Sequence, residues 1–423
     1  MLPANNLVPH TNHRIVIPFY VYAALSFLVA TLLLFISGEA FTQHHFHPRT
    51  LAITHTMALG WGTMIILGAS HQLLPVLTGS SLYSTALAHA SFLLAAVGIP
   101  ILVYCFFHFR MDWLAQAGSL LINGAVICYV INLYGCMRKS SKVNVHAVFV
   151  LTASLWLLAT TIIGWLLVIN FTNPILPADS LAYLSLHAHL GIVGWFLLLV
   201  TGVGSRLIPM FLISKYDHPR MLWYIYSLVS GALVLFIIFF VTDLNRAVYL
   251  LPLAAVFLSL ALFAVFCRKA YQQRIRKQVD EQVKISLLSV AMMLLPIVLL
   301  LVIILLLVFS FANEKLVLAY GFSIFFGWLT AIILGMTFKT LPFIVWNKIY
   351  HPKTGMGKMP NPKDLFDHKV FNAMGILYLA GFCLFLAGIL CGRVMIIQLA
   401  STLLIVTAVL YNFNILKMLR QKA

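Results

Sequence analysis

Apolar runs of about 20 residues recur along the whole chain, separated by short polar segments. Each run is long enough to cross a lipid bilayer as one helix. The runs are too long and too continuously apolar for the strands of an outer-membrane barrel, which alternate over about ten residues. Because backbone polar groups in lipid must be satisfied within helices, the pattern predicts an all-α polytopic membrane protein.

The runs predict twelve membrane-spanning helices. They lie at about residues 15–37, 50–78, 86–108, 112–136, 147–170, 181–213, 221–242, 246–267, 285–311, 315–346, 369–391 and 393–417. The run that begins at Ile15 is long enough to span the bilayer, so we interpret it as the first helix and expect no cleavable signal peptide.

One segment occurs three times, in helices two, six and ten. The pairs Gly60-Trp61, Gly194-Trp195 and Gly327-Trp328 are each followed by a glycine eight residues after the first glycine and by a proline fifteen residues after it. Five residues before the pair stands a histidine in the first two copies and Phe322 in the third. A segment that returns several times with the same internal spacing indicates an internal repeat.

The repeat and the helix count together predict three units of four helices, arranged around a pseudo-threefold axis. The units cover about residues 1–142, 143–280 and 281–423, within a single transmembrane domain. Four helices return the chain to the side where it started, so the units are parallel. An inverted-repeat transporter would need an odd number of helices in each unit.

Composition and charge agree with this topology. The chain is 62% hydrophobic and 9% charged, with a mean hydropathy of +1.01 and a net charge of +17. Basic residues concentrate in the loops on the side of the N-terminus, around Arg138 and Lys142, in the run 268–284, in the loop 348–369 and at the C-terminus as far as Lys422. The positive-inside rule places both termini in the cytoplasm, and we expect a bacterial inner membrane and no nucleic-acid partner.

Few residues within the helices can carry chemistry. The six cysteines show no CxxC spacing, which is typical of apolar helix filling. The chain has no phosphate-binding loop, dinucleotide fingerprint or hydrolase motif. Carboxylates are nearly absent from the helices, which weighs against a proton-coupled transporter.

His55 is the first candidate ligand, about one turn into helix two. On a helical wheel the small residues Ala52, Ala58 and Gly62 surround it, so the histidine should face an open space that a flat ring such as haem could use. Gly60 falls on the opposite face, with Gly68, where glycines let another helix approach closely. The alternative is a neutral histidine hydrogen-bonded to a neighbouring helix.

His189 holds the same repeat position in helix six, beside His187. Leu186, Ile192 and Phe196 flank His189, so no open strip is expected there, and a compact metal such as copper suits it better than a haem. Two residues along a helix correspond to about 200°, so His187 and His189 should not share one ligand site. One of the two should face another direction.

A cluster of histidines lies in the loop between helices one and two. His44, His45 and His47 are close enough in sequence to bind copper or zinc together. A short polar loop that happens to contain histidines is the alternative interpretation.

Twelve spans in three units, with His55 in helix two and His189 in helix six, resemble the catalytic subunit of the haem-copper oxidase superfamily. Arg49 followed by His55-Thr56 and Gly68-Ala69-Ser70 is similar to helix two of C-type oxidases and nitric-oxide reductases, whose histidine is an axial ligand of the low-spin haem. Ala188-His189 through Pro209 is similar to their helix six, whose histidine binds the active-site metal. The chain also resembles, in length and span count, the NnrS-type haem and copper proteins, which are linked to nitric-oxide stress.

The sequence departs from the oxidase pattern in helices seven and ten. The family has histidine ligands in both, whereas 221–242 and 315–346 contain none here, and Tyr320 and Phe322 take the places that His187 and His189 hold in unit two. The resemblance therefore implies a degenerate member that lacks the usual binuclear centre.

Three functions remain open at this point. The first is a haem-binding membrane protein, with or without copper, that acts in respiratory electron transfer or nitric-oxide response. In it His55 is an axial ligand and His189 is a second ligand or a separate metal ligand, and a cytochrome or other respiratory membrane subunits are the partners. The second is an oxidase-like catalytic subunit that reduces oxygen or nitric oxide with ligands from elsewhere. The third is a cofactor-free transporter or channel on the same fold.

Overall fold

The structure is a computed structural model and describes residues 11–139, 144–350 and 359–421. Lys142 and Lys422, which the charge argument used, lie outside the described residues. Within these ranges, twelve helices are long and apolar enough to span a membrane: α1 His13–Ile36, α2 Pro48–Leu77, α3 Thr85–Phe107, α4 Trp113–Arg138, α5 Val145–Thr172, α6 Ser180–Leu212, α7 Pro219–Val241, α8 Arg246–Gln272, α9 Glu281–Val308, α10 Glu314–Ile349, α11 His368–Cys391 and α12 Val394–Leu419.

The predicted all-α polytopic membrane fold is confirmed, and the twelve helices fall within a few residues of the predicted spans. The largest shift is at the end of α8, which reaches Gln272 rather than residue 267, and α9 begins at Glu281 rather than near residue 285. Because the helix number is even, the described chain begins and ends at the same end of the bundle, which we call the terminal end. The opposite end carries the loop between α1 and α2, and we call it the mouth end.

Each repeated segment contains a stretch of π-helix at the same place. The π-helical turns run over Thr56–Thr63 in α2, Leu190–Leu197 in α6 and Ser323–Leu329 in α10. They begin directly after His55, His189 and Phe322. A π-helical turn holds more residues than an α-helical turn, so it rotates everything that follows relative to an ideal wheel.

The three copies meet on a common axis at equivalent positions. Gly62, Phe196 and Leu329 each stand two residues after the glycine of the Gly-Trp pair. A Cβ atom added to Gly62 would lie 2.9 Å from the Phe196 ring and 3.1 Å from the Leu329 side chain. A larger residue at this position would have to displace the two side chains that fill the space next to the axis.

Two tryptophans of the repeat connect the units by equivalent hydrogen bonds, each from the indole N–H of one unit to a threonine hydroxyl of another. Trp61 Nε1 donates to Thr330 Oγ1 at 3.1 Å, and Trp195 Nε1 donates to Thr63 Oγ1 at 3.0 Å. Thr63 and Thr330 hold equivalent positions, and Leu197 takes that position in unit two. The third bond of the cycle is therefore missing, since leucine offers no acceptor. Units one and three, and units two and one, are thus joined by equivalent bonds, as the predicted threefold repeat would produce.

The other glycines of the repeat let the first helix of each unit pack closely on the second, and at Gly60 this is the close approach that the sequence predicted. A Cβ atom on Gly60 would lie 2.7 Å from Ser26 Oγ of α1. One on Gly194 would lie 2.8 Å from Trp156 Cβ of α5, and one on Gly335 would lie 2.6 Å from the Gln282 carbonyl oxygen of α9. Close backbone contact of this kind replaces the hydrophobic effect as a source of helix association in lipid.

Candidate functional site

A cavity of about 950 Å³ extends from the mouth end into the bundle, and residues of all nine helices from α2 to α10 line it. Most of its wall is aliphatic and aromatic, and its size falls in the range of ligand-binding pockets. The histidines and carboxylates on this wall are His45, His55, His187, His189, Asp243 and Glu314. Tyr320 adds a phenol group.

His55 is held in one tautomer by its own helix. Its Nδ1–H donates to the Leu51 carbonyl oxygen, one turn earlier, at 2.8 Å. The other ring nitrogen, Nε2, then carries the lone pair. The ring contacts Phe106 edge-on, with centroids 4.6 Å apart. Metal-ligating histidines are commonly oriented by a hydrogen bond of this kind at the second nitrogen.

His187 of α6 faces His55 across the cavity. The two ring centroids lie 6.2 Å apart and the ring planes differ by 17°. Gly164 of α5 makes room for the ring, since a Cβ atom there would lie 2.9 Å from Cε1 of His187. The Thr160 carbonyl interacts with the ring, yet the buried Nδ1 makes no hydrogen bond of normal geometry with any described residue. Burying a polar nitrogen without a partner is costly, which makes this one a candidate ligand atom.

His189 faces a different partner, Tyr320 of α10. Its Nδ1–H donates to the Ser185 carbonyl oxygen at 2.8 Å, and the Tyr320 hydroxyl donates to Nε2 at 3.4 Å. The two rings lie 6.1 Å apart, with planes 27° from parallel. Phe236 of α7 covers the other side of the imidazole at 5.0 Å.

The two ring pairs are related by the internal repeat. His55 and His189 hold the same repeat position, and His187 and Tyr320 both stand two residues before that position in the following unit. In each pair, a residue at the His55 position of one unit faces the residue that stands two places before the equivalent position in the next unit. The nearly equal separations of 6.2 and 6.1 Å follow from this relation.

The structure corrects part of the prediction for His55. Of the small residues expected to open a space beside it, Ala58 does line the cavity. Ala52 is fully buried by other side chains, and Gly62 is packed against Phe196 at the axis. The wheel failed for Gly62 because the π-helical turn after His55 changes the phase of the residues that follow.

The predictions for His187 and His189 are also resolved. The two rings point to different partners, as their spacing in the helix predicted. The expectation that His189 lacks open space was wrong, because Ala188, Gly191 and Ile192 line the same cavity beside it. Neither ring faces the outer surface of the bundle.

The loop histidines divide into two groups. His45 Nδ1 lies 2.6 Å from Glu314 Oε2, and His44 Nε2 lies 3.6 Å from Glu314 Oε1. His47 takes no part in this cluster: its Nδ1 accepts from the Arg49 backbone N–H at 3.2 Å and so caps α2. Burial and the nearby Arg49 guanidinium lower the pKa of His47, which favours the neutral ring that this cap needs.

Two residues of the site were not identified as candidates from the sequence. Glu314 is far from the loop histidines along the chain, and no local pattern links them. Tyr320 was noted only as a replacement for a histidine. The repeat offered a signal for Tyr320, because Tyr320 holds the position in unit three that His187 holds in unit two. If His187 faces His55, the same relation one unit further along places Tyr320 opposite His189.

The sequence matches no protein-family model, and no curated protein is similar to it.

Proposed function

We propose that this membrane protein binds a haem in its cavity, where His55 and His187 would hold the iron, and transfers electrons in a respiratory or nitric-oxide-responsive system. The observation that carries the proposal is the facing pair of imidazoles in a large, mainly apolar cavity. The proposal agrees with the resemblance to the haem-copper oxidase superfamily.

The residues present fit such a group. A metal–imidazole bond is about 2.0–2.1 Å long, so two imidazoles on one metal ion have ring centres roughly 6 Å apart. The ring centres of His55 and His187 lie 6.2 Å apart. His55 has its Nδ1 occupied by Leu51, and His187 has a buried nitrogen without a regular partner. A bound haem would supply one-electron redox chemistry at this position.

The surrounding residues define how the site would work. Aliphatic and aromatic walls keep water away from the group, which tunes its potential through the local dielectric. His189 with Tyr320 is the position for a copper ion, since imidazole suits copper. The absence of histidine in α7 and α10 favours electron transfer over reduction of oxygen or nitric oxide.

The proposal includes a location and partners. The basic loops favour a bacterial inner membrane, with the termini in the cytoplasm and the cavity mouth on the outer side. A cytochrome or another respiratory membrane subunit would exchange electrons with the site from that side, within the lipid bilayer that holds the protein.

The experiment is spectroscopic. The purified full-length protein, expressed with haem supplied, should show a Soret band and a haem-to-chain ratio near one in an extraction assay. His55→Ala and His187→Ala should each lose or shift the band, whereas His189→Ala should keep it. A folded, colourless and copper-free wild type would leave the cofactor-free transporter on the same fold as the better account.

A further inference from the structure

We infer that His44, His45 and Glu314 form a binding site for a divalent transition-metal ion at the mouth of the cavity. The site is separate from the proposed haem ligands and does not depend on whether a haem binds. It differs from the cluster expected from the sequence, because Glu314 replaces His47.

The three side chains are already brought together. Each offers one ligand atom, and these atoms all lie within 4.8 Å of one another. The rings of His44 and His45 stack with centroids 4.3 Å apart, so both present nitrogen to the same carboxylate. A metal ion therefore needs only small side-chain movements to contact all three.

Backbone hydrogen bonds fix the loop in this arrangement. The His45 backbone N–H donates to Glu314 Oε2 at 3.1 Å, and the Phe46 backbone N–H donates to His44 Nδ1 at 3.1 Å. For His44 to bind a metal through Nε2, its proton must move to Nδ1. The Phe46 N–H then loses this acceptor, but the site is half-exposed and water can replace it.

The ligand set identifies the class of ion. Two imidazoles and one carboxylate are a set that zinc accepts in proteins, with water in the fourth position. Copper(II) also binds imidazole and carboxylate ligands. Calcium and magnesium prefer oxygen ligands, so they should not compete well here. The side chains of His44 and Glu314 are 56% and 40% exposed, which leaves room for the water.

The site lies where a bound metal ion would connect two parts of the cavity wall. His45 belongs to the loop of unit one, and Glu314 is the first residue of α10 in unit three. Both residues line the cavity. A metal ion bound between them would tie the loop to α10 across the mouth and restrict movement there.

The test is zinc binding to the full-length protein in detergent after treatment with a chelator. Titration with zinc chloride by calorimetry, with metal analysis after desalting, should show that Glu314→Gln and His45→Ala each lose one tightly bound zinc per chain relative to wild type. His47→Ala, in the same loop, and His55→Ala, in the cavity, should keep that zinc. Equal zinc content in Glu314→Gln and wild type would overturn the site.

A second measurement uses the wild type alone, in case the variants fail to fold. Diethyl pyrocarbonate modifies accessible imidazoles, and mass spectrometry locates each modified residue. One equivalent of zinc should reduce the modification of His44 and His45 at least about tenfold and leave His47 unchanged. Equal protection of all three, or protection of none, would contradict the assignment.

Discussion

The ring of His55 lies 6.2 Å from the ring of His187, with planes 17° apart, although the two residues belong to different repeat units. His189 and Tyr320 repeat this relation between the second and third units. The pseudo-threefold axis thus produces two equivalent facing pairs, one with two imidazoles and one with an imidazole and a phenol. Only the first pair offers two strong neutral nitrogen ligands.

Substitution of Gly335 by alanine should destabilise the protein. The new methyl group would meet Ser286 and lie 2.6 Å from the Gln282 backbone oxygen, which cannot move without displacing α9. We expect a loss of about 1–3 kcal/mol in the free energy of unfolding, the usual cost of overpacking. Unfolding by a denaturing detergent measures it.

Gly231→Ala is the matched control for that substitution. Gly231 lies in α7 and is exposed on the bundle surface, and outside the adjoining backbone of its own helix no atom lies within 4 Å of an added Cβ. Alanine should stabilise this helix by about 1 kcal/mol through its higher helix propensity. If both variants changed stability by the same amount, close packing at Gly335 would not be the cause.

Thr63→Val should weaken the connection between units one and two. Valine keeps the volume of threonine but leaves the buried Trp195 N–H without its acceptor, which should cost about 1–3 kcal/mol. Thr201→Val is the control, because the Thr201 hydroxyl bonds only carbonyls of its own helix. Its loss should be clearly smaller in the same unfolding assay, and an equal loss would argue against the indole bond.

Asp280 should make stability depend on acid pH. Burial alone would raise the pKa of this carboxyl, but Lys339 and Arg276 hold it below its usual value. A lowered pKa stabilises the folded state above the unfolded pKa of about 3.9, and the contribution disappears as the pH falls through the folded pKa. Asp280→Asn should therefore cost about 2 kcal/mol at neutral pH, and the difference from wild type should vanish in strong acid.

Asp112→Asn provides the comparison for the acid dependence. Asp112 also precedes a helix and pairs with a single arginine, Arg110, but this pair is exposed. An exposed ion pair contributes little to stability because solvent screens it, and asparagine can still cap α4. Unfolding free energies of both variants between pH 7 and 3 would show whether the loss is specific to Asp280.

The sequence was sufficient for the fold and for part of the site. Long apolar runs fix the number of helices, and the repeated Gly-Trp segment fixes their grouping, because both signals depend on local composition and period. Contacts between segments that are distant along the chain could not be predicted from local composition and period. The helical wheel misplaced Gly62 because the composition does not predict a π-helical turn. Glu314 lies close to His44 and His45 only because α10 packs beside their loop.

The absorption spectrum of the purified protein, with and without His55 and His187, tests the central claim most directly. The account predicts a Soret band in the wild type that is lost or shifted in His55→Ala and in His187→Ala. The band should persist in His146→Ala, because His146 does not line the cavity. It is buried in α5, and its Nδ1 lies 3.0 Å from the Gly202 carbonyl oxygen. A band that survives in both cavity variants, or a folded wild type without any band, would contradict the account.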